Sequence, residues 1–418
     1  VALIHALRRL GAVHVPLNRR AAPAELRYQL ELVSPALLLA DRGNLARAHE
    51  SVPEGLTVER IEALLAATPC GRAPVLRTEI DLAAPATIVF TSGTTGRPKG
   101  AVLTHDNHRA SAHAWAGLLR PAPGHRWLAC LPLFHVAGLA IITRVTRWGA
   151  PLDLLDRFDV AAVNDALDDG VTHLSLVPAQ LEALLELRAE RPGPETLQAI
   201  LLGGSSIPSS LLDRARAAGY GVLTTYGLTE TCSGVVSGGG DPLTLATPRT
   251  GKALPGVELR IEPDGAAGEA GEVLVRGEMV FAGYLDDPAA TAERLRDGWL
   301  HTGDVGTLSD EGLLRILDRR DDLIVSGGEN VYPAEVEAVL AQHPAVREVV
   351  VFGVADERWG AVPAAAVVLE TEADDDELAA YCRERLAAYK VPVRFERREG
   401  LPRNTFGKVQ RHRLREPA

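Results

Sequence analysis

Repeatedly in this chain, a run with helical periodicity stops at a glycine and a short β-branched run begins. Leu10-Gly11 leads into Ala12-Val13-His14-Val15, and Ala217-Ala218-Gly219 leads into Gly221-Val222-Leu223-Thr224. A helix that closes on glycine and hands over to a strand is the repeating unit of an α/β fold. Parallel strands need such a crossover between them, so mostly parallel sheets are expected. The chain has 418 residues, too many for one ordinary core. That length implies roughly two to four structural units.

Between about 247 and 318 the texture changes to short strands with frequent turns, including Pro255-Gly256, Asp264-Gly265 and Asp297-Gly298. An antiparallel or barrel-like part is expected there. After Asp318-Arg319-Arg320-Asp321-Asp322 the order becomes strand, helix, strand, strand, helix, strand: Leu323-Ile324-Val325, Pro333–His343, Val349–Val354, Ala364–Leu369, Asp375–Ala388 and Val393–Arg397. That length suits a small α+β domain. The expected architecture is therefore a large α/β N-terminal domain, residues 1–318, of flanked mostly parallel sheets plus a small β-barrel-like part. A charged hinge, 319–322, and a small mobile C-terminal α+β domain, 323–418, follow. An ordinary surface turn is the other reading of the charged linker. The acidic run Glu370–Glu377 reads as a solvated helix start. The first helical run has neither a methionine nor an N-cap before it, so an upstream segment is expected to be missing.

Within this frame, the apolar run Ala86-Thr87-Ile88-Val89-Phe90 empties into Thr91-Ser92-Gly93-Thr94-Thr95-Gly96-Arg97-Pro98-Lys99-Gly100. A strand that opens into glycines, hydroxyls and two cations is a phosphate-handling loop, because glycines let backbone N–H groups turn inward and hydroxyls add donors. The spacing matches neither Walker A nor G-x-G-x-x-G. Of 44 basic residues only Lys99, Lys252, Lys390 and Lys408 are lysines. A lysine in a Gly-rich segment of so arginine-biased a chain suggests a need for a compact ammonium, and Lys99 and Lys408 both sit in such segments.

A net charge of −11 argues against a general nucleic-acid or membrane-surface binder. Cys70, Cys130, Cys232 and Cys382 are scattered without C-x-x-C pairing, and the 12 histidines show no metal-ligand spacing. Reduced cysteines, no apolar run of transmembrane length and no signal peptide point to a cytoplasmic protein.

Five segments, in order, resemble the acyl-adenylate-forming superfamily of acyl-CoA synthetases, peptide-synthetase adenylation domains and firefly luciferase. They are Thr91–Gly100, Leu133–Gly138, Thr225–Glu230, Trp299–Asp304, and Asp318–Glu337 together with Pro402–Lys408. The resemblance implies ATP, Mg²⁺ and CoA as reactants and cofactors, with a carboxylate attacking the α-phosphate of ATP. Positive charge and N–H donors must then bring two anions together.

By that resemblance, Thr91, Ser92, Gly93, Thr94, Thr95, Gly96 and Lys99 hold the β- and γ-phosphates. Thr229 serves the α-phosphate, and Glu230 is the Mg²⁺ ligand, a hard oxygen donor. Tyr226 and Gly227 lie against adenine, with Gly203, Gly204 and Ser205 on its other side. Asp304 and Arg319 take the ribose hydroxyls, and Lys408 bridges the acid's carboxylate and the α-phosphate. Asp321 is the hinge about which the small domain rotates, exchanging Lys408 for the Gly327-Gly328-Glu329-Asn330 face that admits CoA. Trp359-Gly360 fits the segment near the pantetheine tunnel, although an isolated tryptophan is equally read as core packing. His135 stands at the acyl-pocket wall, or is a satisfied core histidine. Asp318 departs from the family, where many relatives carry glycine.

Arg144 interrupts the apolar run Leu139–Val145, and a buried arginine is costly unless it meets an anion. The o-succinylbenzoate–CoA ligases of menaquinone biosynthesis are similar at this offset, and in Leu131–His135 and Thr225–Ser233. This resemblance implies an acid with a second carboxylate, held by Arg144 with Ser233 nearby. Snorkelling to the surface, or pairing with Asp153 or Asp156, is the structural alternative. Two other functions stay open: a medium-chain fatty acid or aryl acid–CoA ligase, and an adenylation module loading a carrier protein. A homodimer is the common assembly for soluble metabolic enzymes, and the sequence does not decide it.

Overall fold

The computed structural model describes residues 1–66, 75–91, 98–189, 191–204, 207, 209–238, 250–263, 270–318, 324–331, 333–401 and 414. The chain divides into two compact units. One comprises Val1–Pro16, Thr78–Val89 and Ala101–Arg320; the other comprises Leu17–Arg77, Phe90–Gly100 and Asp321–Ala418.

In the first unit the parallel strands Leu152–Leu154, Trp127–Ala129, His173–Leu176, Ala199–Leu202 and Val222–Leu228 lie side by side in that order. Alternate residues of these strands face two separate cores, as the pleat requires. Leu128, Leu174, Leu176, Ile200 and Leu202 pack with Val163, Leu167, Leu181 and Leu184 from the helices Val160–Asp168 and Pro178–Leu187. Trp127, Ala129 and Leu201 face the other way, onto Trp115, Leu139 and Ile141 from the helices His105–Leu119 and Val136–Trp148. Full burial of each leucine here contributes about 1.5–3 kcal/mol. Helix ends follow the sequence signals. The helix Ala2–Leu10 closes at Gly11 with φ 71°, and Thr104 caps His105–Leu119 by accepting from the Asn107 amide at 3.1 Å.

The sheet then reverses direction. Ser233–Gly238 runs antiparallel to Val222–Leu228. The strands Thr250–Ala253, Leu313–Asp318, Trp299–Leu308, Ala270–Arg276 and Glu258–Pro263 follow, each antiparallel to the one before. The antiparallel part expected between 247 and 318 is present and continues the parallel sheet edge to edge. A separate sheet holds Pro85–Thr91, Lys99–Thr104 and Gly283–Tyr284.

The second unit has a sheet of Glu329–Val331, Ile324–Ser326, Gly360–Leu369 and Val346–Asp356, with Phe395–Arg397 parallel to Gly360–Leu369. The helices Pro333–Leu340 and Asp375–Arg383 cover it through Val336, Leu340, Leu378 and Cys382. The acidic run is indeed a helix start: Asp374 accepts the Glu377 amide at 2.8 Å, and three acids occupy the first turn. The same unit contains the helix Pro23–Val33 and the parallel pair Leu38–Ala40 and Val58–Arg60. Cys130, Cys232 and Cys382 are free and buried. No described helix is long and apolar enough to cross a membrane.

Candidate active site

Where the sheet of the first unit changes from parallel to antiparallel, the strand Val222–Leu228 ends in the short helical turn Thr229–Thr231 and returns as Ser233–Gly238. This reversal places Tyr226, Gly227, Thr229, Glu230 and Ser233 within one hairpin. It is tight, because a Cβ on Gly227 would stand 2.1 Å from the Ser233 carbonyl oxygen. Only glycine admits that approach. The turn is further held by Thr231, whose Oγ1 accepts from the Leu228 amide at 2.8 Å. Cys232 and Ser233 both have positive φ, 52° and 105°, a strained path for non-glycine residues in succession.

Three groups converge on this hairpin from distant sequence. Asp304, buried on the strand Trp299–Leu308, accepts a hydrogen bond at 2.7 Å from the Tyr226 hydroxyl. Its backbone is fixed beforehand: the Asp304 amide donates to Thr302 Oγ1 at 3.1 Å, and the Gly303 amide to Glu272 Oε1 at 2.8 Å. Tyr284 donates to Glu230 Oε1 at 2.6 Å. Arg144, on the buried face of Val136–Trp148, donates from Nη2 to Ser233 Oγ at 3.2 Å, with its guanidinium carbon 4.7 Å above the Trp115 ring.

Arg144 is 2% exposed, so it does not snorkel to the surface. Asp153, a carboxylate that could have paired with it, instead pairs with Arg126 at 2.7 Å. Burial pulls the guanidinium down to about 9, still protonated at neutral pH, and pushes the neighbouring Cys232 thiol up to about 12. His108 lies between Cys232 Sγ at 3.4 Å and Thr87 Oγ1 at 2.8 Å, and burial lowers it to about 3. The hairpin therefore backs onto an interior whose thiol and imidazole are uncharged, beside the protonated guanidinium of Arg144.

Of the other expected residues, Gly203 and Gly204 directly follow the strand Ala199–Leu202, which pairs with Val222–Leu228. His135 occupies the N-cap position of Val136–Trp148, its ring 4.6 Å from Phe134. Thr91 ends one strand and Lys99 begins the next. Gly327 and Gly328 form the turn between Ile324–Ser326 and Glu329–Val331 in the second unit. A Cβ on Gly327 would stand 2.5 Å from the Trp359 ring, and its φ is 57°. Ser92, Gly93, Thr94, Thr95, Gly96, Ser205, Arg319, Asp321 and Lys408, with the hinge 319–322, lie outside the described residues.

Sequence reasoning passed over Tyr284, His108 and Trp115. No spacing signal marks them: Tyr284 meets Glu230, His108 meets Cys232 and Trp115 meets Gly234 across 54 to 124 residues. Lys390 did carry a signal, the rarity of lysine, and the second unit buries it between two carboxylates.

A chain with this sheet reversal and this polar hairpin matches the family described as AMP-binding enzyme over residues 1–285, and the AMP-binding enzyme C-terminal domain over residues 335–408. It belongs to the AMP-binding enzyme family. Within the family it is similar to 2-succinylbenzoate–CoA ligases. It is 41% identical over 419 residues to that of Bacillus mycoides, covering 99% of this chain and 85% of the relative. To that of Bacillus velezensis it is 43% identical over 417 residues, covering 99% and 84%. Among solved structures it resembles a double mutant of o-succinylbenzoate CoA synthetase from Bacillus subtilis bound with its product analogue OSB-NCoA. That likeness has a TM-score of 0.92 at 38% identity, covering 98% of this chain and 85% of that one. The amide bond synthetase McbA from Marinactinospora thermotolerans is also similar, with a TM-score of 0.84 at 30% identity, covering 99% and 87%.

Proposed function

We propose that the protein is an ATP-dependent acid–CoA ligase that acts through an acyl-AMP intermediate, and that its acid is 2-succinylbenzoate. One observation carries the choice of acid. Arg144 is buried and protonated, and among the described residues it forms no ion pair with a carboxylate. A guanidinium left in that state inside a protein is costly unless a ligand brings the anion. A fatty-acid or simple aryl-acid pocket would have no use for it. The similar 2-succinylbenzoate–CoA ligases, matched along nearly the whole chain, support the same reading.

In this reading the acid's reacting carboxylate oxygen bonds to the α-phosphorus of ATP and pyrophosphate leaves. The thiol sulfur of CoA then bonds to the acyl carbon, its proton is lost, and AMP leaves. The residues of this chain bind and orient. Thr229 donates its hydroxyl to the α-phosphate, and Asp304 takes the ribose hydroxyls together with Arg319. Tyr226 and Gly227 on one side, and Gly203, Gly204 and Ser205 on the other, flank the adenine. Glu230, oriented by Tyr284, is the carboxylate suited to Mg²⁺, which neutralises phosphate charge. Thr91, Ser92, Gly93, Thr94, Thr95, Gly96 and Lys99 are assigned to the leaving pyrophosphate, and Lys408 to the acid's carboxylate and the α-phosphate. Gly327 and Gly328 are assigned to the second half-reaction, His135 to the acyl-pocket wall, and Asp321 to the hinge between domains 1–318 and 323–418. The second carboxylate of the acid meets Arg144 and Ser233. The reading extends to a cytoplasmic homodimer, checked by fractionation and sedimentation.

The test is CoA-dependent AMP formation from ATP with 2-succinylbenzoate, octanoate and benzoate, in the wild type and in Arg144→Gln. Preference for 2-succinylbenzoate that Arg144→Gln loses selectively is the expected result. Preference for octanoate or benzoate, with little change in Arg144→Gln, overturns the choice of acid.

A further inference from the structure

Arg144 has a companion. Arg8, on the helix Ala2–Leu10, donates from Nη2 to Thr143 Oγ1 at 3.0 Å, one residue before Arg144 on the helix Val136–Trp148. The Nε atoms of Arg8 and Arg144 are both buried without a hydrogen-bond partner. Among the described residues, neither arginine forms an ion pair with a carboxylate. Both guanidiniums act electrostatically on the same thiol, that of Cys232, each opposing the rise that burial imposes on it.

The groups around them add no negative charge. Cys232 is a buried thiol held well above neutrality, His108 is an uncharged ring, and Trp115 offers the face on which Arg144 rests. The strained φ of Ser233 sets its hydroxyl against Arg144. A buried cation, Arg144, and a half-buried one, Arg8, thus act on one interior that contains no anion among its described residues. Burial already opposes the charge on Arg8. A structural arginine would normally find a carboxylate on folding.

We propose that Arg8 is a second specificity determinant for the acid. Anchored on Thr143, it holds the turn of helix that carries Arg144 and adds a second positive charge to the field in which the acid's remote carboxylate sits. It acts through Thr143 and through that field, so it is a positioning residue. The ligand class is an acid with a second anionic group. The inference rests on the reading of Arg144 given above.

The experiment compares kcat/KM for 2-succinylbenzoate with that for benzoate in the wild type, Arg144→Gln, Arg8→Gln, Arg8→Lys and Thr143→Val. Arg8→Gln is expected to lower the ratio about tenfold, the worth of one hydrogen bond to a charged group, mainly through KM for the dicarboxylate. Arg8→Lys should keep the ratio within about threefold, because the charge is retained. An equal loss on both acids in Arg8→Gln, or a ratio lost as fully in Arg8→Lys, makes Arg8 structural and overturns the proposal. Should Arg8→Gln not fold, Arg8→Lys and Thr143→Val decide. A ratio kept in Arg8→Lys and lowered in Thr143→Val supports the proposal, and the reverse overturns it. A wild type with no preference for the dicarboxylate overturns the reading of Arg144 and this inference with it. A preference lost in Arg144→Gln and kept in Arg8→Gln overturns this inference alone.

Discussion

Tyr226 donates its hydroxyl proton to Asp304 Oδ2 at 2.7 Å, joining two residues 78 positions apart across the hairpin at the end of the parallel strands. The bond holds a buried carboxylate in one rotamer before any ligand arrives. Preorganisation of this kind reduces the reordering that binding requires. If Asp304 takes the ribose, Asp304→Asn should raise KM for ATP by about ten- to a hundredfold, since a hydrogen bond to a charged acceptor is worth about 1.5–3 kcal/mol. Tyr226→Phe keeps the ring and loses one bond, so a rise of only about two- to tenfold is expected. Initial-rate kinetics with ATP varied at saturating acid distinguishes the two. A larger effect for Tyr226→Phe than for Asp304→Asn would contradict the assignment.

Tyr284 engages Glu230 Oε1 at 2.6 Å from a strand paired with Ala101 and Val102. A partner that orients a metal-binding carboxylate typically affects metal affinity by about ten- to a hundredfold when removed. Tyr284→Phe should therefore shift the Mg²⁺ dependence of AMP formation to higher concentration while leaving the rate at saturating Mg²⁺ within a few-fold. Glu230→Gln should depress the rate at every Mg²⁺ concentration. A Mg²⁺ titration of both variants tests this, and an unshifted curve for Tyr284→Phe would show that the hydrogen bond is only structural.

His108 and His173 are buried, and burial holds them at about 3 and about 4, below the ordinary 6.5. An unfolded chain binds these protons as pH falls through 6.5, whereas the folded protein does so only near 3 to 4. Folding stability must therefore decline across that window as the medium becomes more acidic. Each tenfold difference in proton affinity between the folded and unfolded states corresponds to about 1.4 kcal/mol. Urea unfolding at a series of pH values should show the decline, and His108→Gln should make it shallower. A slope unchanged in that variant would mean that His108 is not protonated on unfolding.

In the second unit Lys390 donates to Glu25 Oε1 at 2.6 Å and to Glu335 Oε1 at 2.7 Å, all three side chains being buried. One ammonium cannot neutralise two carboxylates. Burial accordingly raises Glu335, to about 7, while the carboxylates raise Lys390 against the effect of burial. Lys390→Met would leave both acids unpaired and should cost about 3–5 kcal/mol. Because the folded state keeps the Glu335 proton where the unfolded chain has lost it, stability falls as pH rises from about 4.5 to about 7. Glu335→Gln should remove that part of the pH dependence with little loss of stability at pH 7. Thermal melts of both variants at pH 5 and pH 7 check the sign.

Helix stops, strand runs and the change of texture near residue 247 were legible in the sequence because they depend on local pattern. Gly11 and Gly219 follow helices at φ 71° and 80°, and the α+β elements after 323 appear in the expected order, with strand and helix ends moved by a few residues and one further strand, Glu329–Val331, among them. The hairpin residues Tyr226, Gly227, Thr229, Glu230 and Ser233 were legible for the same reason, being neighbours in one segment. The partners of these residues were not. Arg8 on Thr143, Tyr284 on Glu230 and Lys390 between Glu25 and Glu335 are contacts between residues from 54 to 365 positions apart. The sequence by itself determined the periodicities, the breaks between elements and the chemical types at the site, all properties of near neighbours. The tertiary structure alone decided which of those groups meet and which charges are buried without a counter-ion, because that depends on how strands distant in sequence are ordered side by side in one sheet.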